Sequence, residues 1–165
     1  MFAKRNLLFI FLSIVCMTAI FILSAQNADK SSSTSGFFVN FFLNHFVSDF
    51  KSFSLEKQEY IHGLVSFTIR KCAHFSAYAL TGFCVSGSFP KFRLKSLNFP
   101  KALAICFVYA CTDEFHQHFV PGRSCEFRDV MIDTAGALTG ILIFTAILYF
   151  INRKNKCLFQ WLNKL

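Results

Sequence analysis

The stretch KALAICFVYACTDEFHQHF, residues 101–119, determines how the chain can fold. Its apolar run, residues 102–112, is too short to cross a membrane alone, because a helix needs about 20 residues to do so. The run reaches that length only by continuing through Asp113, Glu114, His116 and Gln117. Because an ionised side chain that faces lipid costs about 3 kcal/mol or more, we predict a membrane helix whose polar end turns toward other helices.

The composition also favours a membrane protein. Hydrophobic residues make up 54% of the 165, charged residues only 16%, and there are 24 Phe. A soluble domain of this size would not be expected to stay in solution with that composition. We predict four spans, at residues 7–25, 72–89, 102–120 and 130–151. The predicted fold class is an all-α, polytopic membrane protein: a four-helix transmembrane bundle forming one domain over 7–151, with a basic cytoplasmic tail at 152–165.

Positive charge predicts the orientation of the spans. Lys and Arg precede the first span, separate the second from the third and follow the fourth, and these three regions hold no acidic residue. All nine Asp and Glu lie in the other connections or in the outer ends of spans. Since Lys and Arg stay on the cytoplasmic side of short loops, both termini should be cytoplasmic. The net charge of +8 therefore indicates topology and attraction to membrane lipids, not a nucleic-acid partner.

The first span could in principle be a cleaved signal peptide, since Lys4 and Arg5 supply a positive start. Its apolar stretch is long, and Leu23 stands where a cleavage site needs a small residue. We therefore expect this span to be retained.

The connection at residues 26–71 should lie outside the membrane. We expect a flexible polar linker at residues 29–36, followed by an interfacial helix with Asn40, Asn44 and Ser48 on one face. A second amphipathic stretch starts near Ser54 and should extend span two above the bilayer. A lid or packing role is favoured for both over a substrate groove.

Three motifs carry the ionisable residues. RKCAHFSAY, residues 70–78, opens span two and places Lys71, His74 and Tyr78 on one helical stripe. At the end of span three, Asp113, His116 and Gln117 share a face, and Glu114 lies on another with Gln117. RDVMIDTAGALTG, residues 128–140, places four residues on one stripe of span four: Asp129, Asp133, Gly136 and Gly140.

The predicted topology brings these polar ends to one level, in an outward-open pocket. The candidate binding residues are Lys71, His74, Tyr78, Asp113, Glu114, His116, Gln117, Arg123, Asp129 and Asp133. Simpler roles compete with this one: Arg70 and Lys71 could anchor the span at the interface, and the two glycines suit close helix packing. Cys72 and Cys125 could meet outside, although the spacing of the cysteines indicates no disulfide framework.

The motifs resemble those of the VanZ-like family. FILSAQ (21–26), RKCAHFSAY, DEFHQHFVPGR (113–123) and RDVMIDTAGALTG look like the family's successive signatures, in its order. The resemblance implies a bacterial cytoplasmic membrane protein of a family whose named member is associated with resistance to the glycopeptide teicoplanin. It implies no agreed reaction.

The leading hypothesis is that the pocket recognises a cell-envelope component, such as a lipid-linked peptidoglycan precursor, with Arg123 and Lys71 holding carboxylate or phosphate oxygens. An alternative is a hydrolase or transferase acting on such a precursor, whose catalytic candidates are His74, Asp113, Glu114 and His116. A small transporter or an accessory membrane protein also stays open. No cofactor is expected, and no metal, because metal-site spacings such as HExxH or CxxC are missing from the sequence.

Overall fold

A computed structural model describes residues 4–47, 50–90, 97–123 and 125–162, with the backbone alone for 28–35 and 154–162. These residues form five α-helices and no strand. The predicted all-helical class is thus confirmed for the described chain. The helices are α1 (Lys4–Ser24), α2 (Ala28–Phe46), α3 (Leu55–Ser88), α4 (Asn98–Gln117) and α5 (Phe127–Leu162), and a short 3₁₀ turn spans Phe50–Ser52. Ser48 of the predicted interfacial helix and the basic residues at 91–95, between predicted spans two and three, lie outside the described residues.

The connection between the first two predicted spans is more helical than the sequence suggested. The expected flexible linker at residues 29–36 lies inside α2, so that prediction was wrong. Serine and threonine cost only about 0.5 kcal/mol each in a helix relative to alanine, which the apolar remainder of α2 can offset through packing. Val39 and Leu43 of α2 are buried, and α2 packs on α3.

Helix α3 joins two predicted segments without a break. It runs from the amphipathic stretch after Ser54 through span two, as the sequence indicated. Its 34 residues make it about 50 Å long, well beyond the hydrocarbon thickness. Its N-terminal part is largely exposed, with Leu55, Tyr60 and Leu64 all exposed.

The closest packing in the described bundle is between α3 and α5, which share its largest interface. A Cβ added at Gly140 would overlap the Ala79 carbonyl, and one added at Gly136 would overlap the Phe75 carbonyl. Gly82 of α3 meets the Ala137 backbone in the same way. The predicted packing role of Gly136 and Gly140 is therefore confirmed: the two backbones approach as only small residues allow. We call Gly82, Gly136 and Gly140 the glycine contact.

Helices α1 and α4 flank this pair, and hydrogen bonds fix the direction of α1. At its start, the Asn6 amide donates to the carbonyls of Gly87 and Ser88, at 3.2 Å each, near the end of α3. At its other end, the Ser24 hydroxyl donates to Asp113 of α4 at 3.0 Å. The end of α1 thus lies beside the end of α4.

Among the described residues, two helices are long and apolar enough to cross a membrane: α1, and α5 over Phe127–Arg153. Only 17% of the most apolar window of α1 and 28% of that of α5 is buried in the bundle. Their apolar surfaces therefore face outward, as lipid-facing helices do and buried core helices do not. Together with the composition, this indicates a membrane protein. Spans in α3 and α4 remain a prediction.

Candidate functional site

A cavity of about 240 Å³ lies between α3, the end of α4 and the start of α5. We call it the polar pocket. Seven of the ten sequence-predicted residues line it, together with residues that the prediction did not include. The lining comprises Phe67, Arg70, Lys71, His74, Glu114, Gln117, Gly122, Arg123, Glu126, Asp129, Ile132 and Asp133.

The positively charged side chains of the polar pocket come from α3 and from the connection between α4 and α5. The Lys71 ammonium contacts the Asp129 carboxylate of α5 and forms an ion pair with it. The Arg123 side chain donates from Nε to the Gln26 carbonyl (3.3 Å) and from Nη1 to Gln117 Oε1 (3.2 Å). Gly122 next to it has a φ of 76°, which favours glycine and turns the chain toward the pocket.

Burial lowers the pKa of the Arg123 guanidinium from its ordinary value, and nearby Arg70 lowers it further. The carboxylates of Asp113, Glu114 and Asp129 act in the opposite direction. Because arginine starts from so high a pKa, it keeps its charge and its five N–H donors.

The Asp113 carboxylate is held at the base of the site. Its Oδ2 accepts from Ser24 at 3.0 Å and from Gln117 Nε2 at 3.1 Å. Its Oδ1 has no hydrogen-bond partner among the described residues, although the side chain is only 2% exposed. Glu114, on the adjacent face of α4, accepts from the Glu126 backbone N–H at 3.1 Å instead.

His74 and two aspartates converge next to this network. His74 Nδ1 lies 3.9 Å from Asp133 Oδ1, and one ligand-type atom from each of His74, Asp113 and Asp133 lies within 4.8 Å of the others. Asp133 is 1% exposed, and its Oδ2 also lacks a partner in the described chain. These three residues, which we call the His–Asp cluster, are the ones that could hold a metal ion.

Three predicted residues do not line the pocket: Asp113, Tyr78 and His116. Asp113 is buried, with its carboxylate bound by Ser24 and Gln117. Tyr78 is fully buried below the pocket, where its hydroxyl group interacts electrostatically with Asp113 and Asp133. His116 instead stacks on Phe21 of α1, with ring centroids 4.4 Å apart. His116 shares a helical face with Asp113 by spacing, but its ring turns toward α1, so the structure does not place it with the other candidates.

A model of one protein family matches residues 9–149, which include every residue that lines the polar pocket. That model is described as VanZ/LLP1. The chain belongs to the VanZ/LLP1 family. Comparison with curated proteins and with solved structures gave no match. Family membership supports the membrane assignment and leaves the role of the polar pocket to be argued from its geometry.

In this VanZ/LLP1 protein a second, mainly apolar groove of about 200 Å³ adjoins the polar pocket. It lies among α1, α2 and α3. The apolar part of its lining consists of Ile20, Leu23, Phe38, Ile69, Ala73 and Ala77, and Gln26 also contributes. Its other members, Arg70, His74 and Arg123, also line the polar pocket. The two spaces therefore meet at these three side chains.

Sequence reasoning missed several residues of the site, among them Ser24 and Arg70. Ser24 was quoted only as part of the FILSAQ signature, yet it holds Asp113. Arg70 was treated as an interface anchor, yet it lines both spaces. The predicted topology places the end of span one, where FILSAQ lies, on the same side of the membrane as the end of span three. That placement could have predicted a contact between Ser24 and the polar end of span three. Cys72 and Cys125, which could have paired, are both free and exposed.

Proposed function

We propose that this protein crosses the bacterial cytoplasmic membrane four times with both termini inside, and that its outward-facing polar pocket binds the anionic head of a lipid-linked envelope precursor. The observation that carries this proposal is the sharing of Arg70, His74 and Arg123 between the polar pocket and the apolar groove. An amphiphile needs such a junction, with an apolar space on one side and a charged space on the other.

The distribution of charge favours an anionic head at that junction. The acidic lining residues of the polar pocket, Glu114, Glu126, Asp129 and Asp133, do not line the groove. A ligand that passes from the groove into the pocket therefore meets two arginines before it meets a carboxylate. Arginine suits phosphate and carboxylate oxygens because its planar fork donates two parallel hydrogen bonds.

The size of the pocket limits what can enter it. Its volume of about 240 Å³ lies just below the range of about 300–1,000 Å³ typical of sites for drug-sized molecules. A diphosphate or the end of a peptide stem suits this volume better than a complete glycan with its peptide. The rest of the precursor would stay outside, above the membrane.

Binding can be tested with purified full-length protein in lipid nanodiscs. We expect a polyprenyl diphosphate to bind and the uncharged polyprenol of the same chain length to bind much more weakly. Arg123→Gln should weaken diphosphate binding by about tenfold or more, since a charge-assisted hydrogen bond contributes about 1.5–3 kcal/mol. Arg128→Gln is the matched control, because Arg128 pairs with Glu126 at 2.8 Å and does not line the pocket. Equal binding of the diphosphate and the polyprenol, or an unchanged Arg123→Gln protein, would refute the proposal.

The family resemblance adds a cellular consequence, which is reduced sensitivity to teicoplanin. Cells that produce the parent protein should survive a higher teicoplanin concentration than cells that produce Asp113→Ala or Arg123→Ala at the same membrane level. Arg128→Gln should protect as the parent does. Equal protection by all four proteins would remove the pocket from any resistance role.

A second candidate function is hydrolysis or group transfer on such a precursor. His74 favours it, because an imidazole close to two carboxylates is a common general base. Mass spectrometry of a precursor incubated with the protein would show a product that the His74→Gln protein does not form. An unchanged precursor would leave binding as the function.

A further inference from the structure

We propose that the His–Asp cluster, formed by His74, Asp113 and Asp133, is a binding site for one divalent transition-metal ion such as Zn²⁺ or Mn²⁺. The spacing rules of the sequence predicted no metal, because these three ligands come from three different helices: α3, α4 and α5. The inference concerns the ion alone and does not depend on which envelope molecule the polar pocket binds.

The distances suit coordination better than direct pairing. A separation of 3.9 Å between His74 Nδ1 and Asp133 Oδ1 is too long for a hydrogen bond. Two ligands of one ion, each about 2.1 Å from it, lie about 3–4 Å apart. Ligand atoms that lie within 4.8 Å of one another therefore need to approach by at most about 1–2 Å on ion binding, which rotation of the side chains can supply.

Asp113 is already oriented as a metal ligand would be. Ser24 and Gln117 both donate to its Oδ2, so one oxygen is fixed. Hydrogen bonds of this kind to the second atom of a ligand hold it in position in metal sites. No donor lies within ordinary hydrogen-bond distance of Oδ1 in the described chain, and the buried Tyr78 hydroxyl group, which interacts with the Asp113 carboxylate, is the polar group that competes with an ion for it. Asp133, with an unpartnered Oδ2 and 1% exposure, presents the same buried acceptor from α5.

Charge gives an independent reason. A buried, unpaired acceptor oxygen costs free energy, and two carboxylates side by side repel each other. Among the neighbouring cations, Lys71 is paired with Asp129, and Arg123 donates to Gln26 and Gln117. A divalent cation would neutralise Asp113 and Asp133 together, with His74 as a neutral third ligand.

The ligand set indicates the class of metal. An imidazole favours Zn²⁺ and other transition ions over Mg²⁺ and Ca²⁺, and carboxylates accommodate both Zn²⁺ and Mn²⁺. His74 and Asp133 line the polar pocket, so the ion can enter from it. With three protein ligands, at least one coordination position stays open toward the pocket.

The test uses full-length protein in nanodiscs, stripped with a chelator and titrated with Zn²⁺ or Mn²⁺ alone. We expect one equivalent per chain by calorimetry and by elemental analysis, and a higher melting temperature with the ion than without it. Asp133→Asn and His74→Gln should weaken the affinity by about a hundredfold, at the upper end of the loss seen when metal-site neighbours are changed. Glu126→Gln is the control, because Glu126 lines the same pocket but its carboxylate pairs with Arg128.

Melting curves without metal establish that each variant is folded before its affinity is compared. Three results would overturn the proposal. The parent protein could fail to bind either ion, Asp133→Asn and His74→Gln could bind as the parent does, or Glu126→Gln could lose as much affinity as Asp133→Asn. If a variant proves unfolded without metal, the rise in melting temperature of the parent alone decides: no rise with either ion contradicts the site.

Discussion

Helices α3 and α5 form two adjacent regions of opposite character. At the glycine contact their backbones touch, and no side chain separates them. One turn further toward the polar pocket, the same helices carry His74 and Asp133, and the space between them opens into a cavity. Dense packing on one side holds the backbones in place, so the charged side chains beyond it are presented from a rigid base. The difference indicates that the glycines set the distance between α3 and α5, and that this distance determines where the ionisable side chains of the polar pocket lie.

The largest expected effect comes from breaking the glycine contact. Gly140→Ala should lower the free energy of unfolding by about 3 kcal/mol, because the added Cβ overlaps the Ala79 carbonyl and the helices must move apart. Thermal unfolding in detergent measures the loss. Gly63→Ala is the matched control: a Cβ there meets nothing within 4 Å, and the exposed helix should gain up to about 1 kcal/mol. Equal melting temperatures for the two variants would contradict the packing described here.

The sequence predicted one half of the glycine contact. Gly136 and Gly140 are four residues apart in an apolar helix, and this spacing alone indicates close packing. Gly82 gave no comparable signal, because its role depends on lying opposite Ala137, a register set by tertiary structure. Tertiary structure also explains why the prediction for His116 differs from the structure. Its spacing from Asp113 was correct, but the direction of its ring depends on Phe21 of α1, which is distant in sequence.

The second-largest effect is expected at the ion pair between Lys71 and Asp129, which lines the polar pocket. Lys71→Met should lower the free energy of unfolding by about 2 kcal/mol, because it leaves Asp129 largely buried without its cation. The value is below that of a fully buried pair because the Lys71 and Asp129 side chains keep 24% and 15% exposure. Adding Asp129→Asn to Lys71→Met should recover part of the loss. Additive losses in the double variant would show that the pair is not coupled.

A smaller effect is expected at the hydrogen bond that joins Ser24 of α1 to Asp113 of α4. Ser24→Ala removes a buried donor to Asp113 and should cost about 1 kcal/mol of unfolding free energy. Ser76→Ala is the control, because the Ser76 hydroxyl is exposed and donates to the carbonyl of Cys72 in its own helix. We expect that control to stay within about 0.5 kcal/mol of the parent. If the two serine variants unfold alike, Ser24 does not position Asp113.

Much of the site could be predicted because a membrane makes polar residues conspicuous. Seven of the ten predicted binding residues line one cavity. Five of them lie at the end of α4, at the start of α5 or in the short connection between these helices, which keeps them close together, and the other two lie on α3. The sequence could not predict that Arg70 and Arg123 also line an apolar groove, because that depends on how α1 and α2 lie against α3. The groove, on which the proposal of an amphiphilic ligand rests, is visible only in three dimensions.

The proposal depends most on the polar pocket opening outside the cell. Cys125 tests it directly, because it is a free, exposed thiol in the connection between α4 and α5. Intact cells producing a Cys72→Ser protein would be treated with a membrane-impermeant maleimide and compared with the Cys72→Ser/Cys125→Ser protein. We predict labelling of Cys125 in intact cells and its loss in the double variant. Labelling of Cys125 only after the cells are permeabilised would place the polar pocket in the cytoplasm and contradict the account.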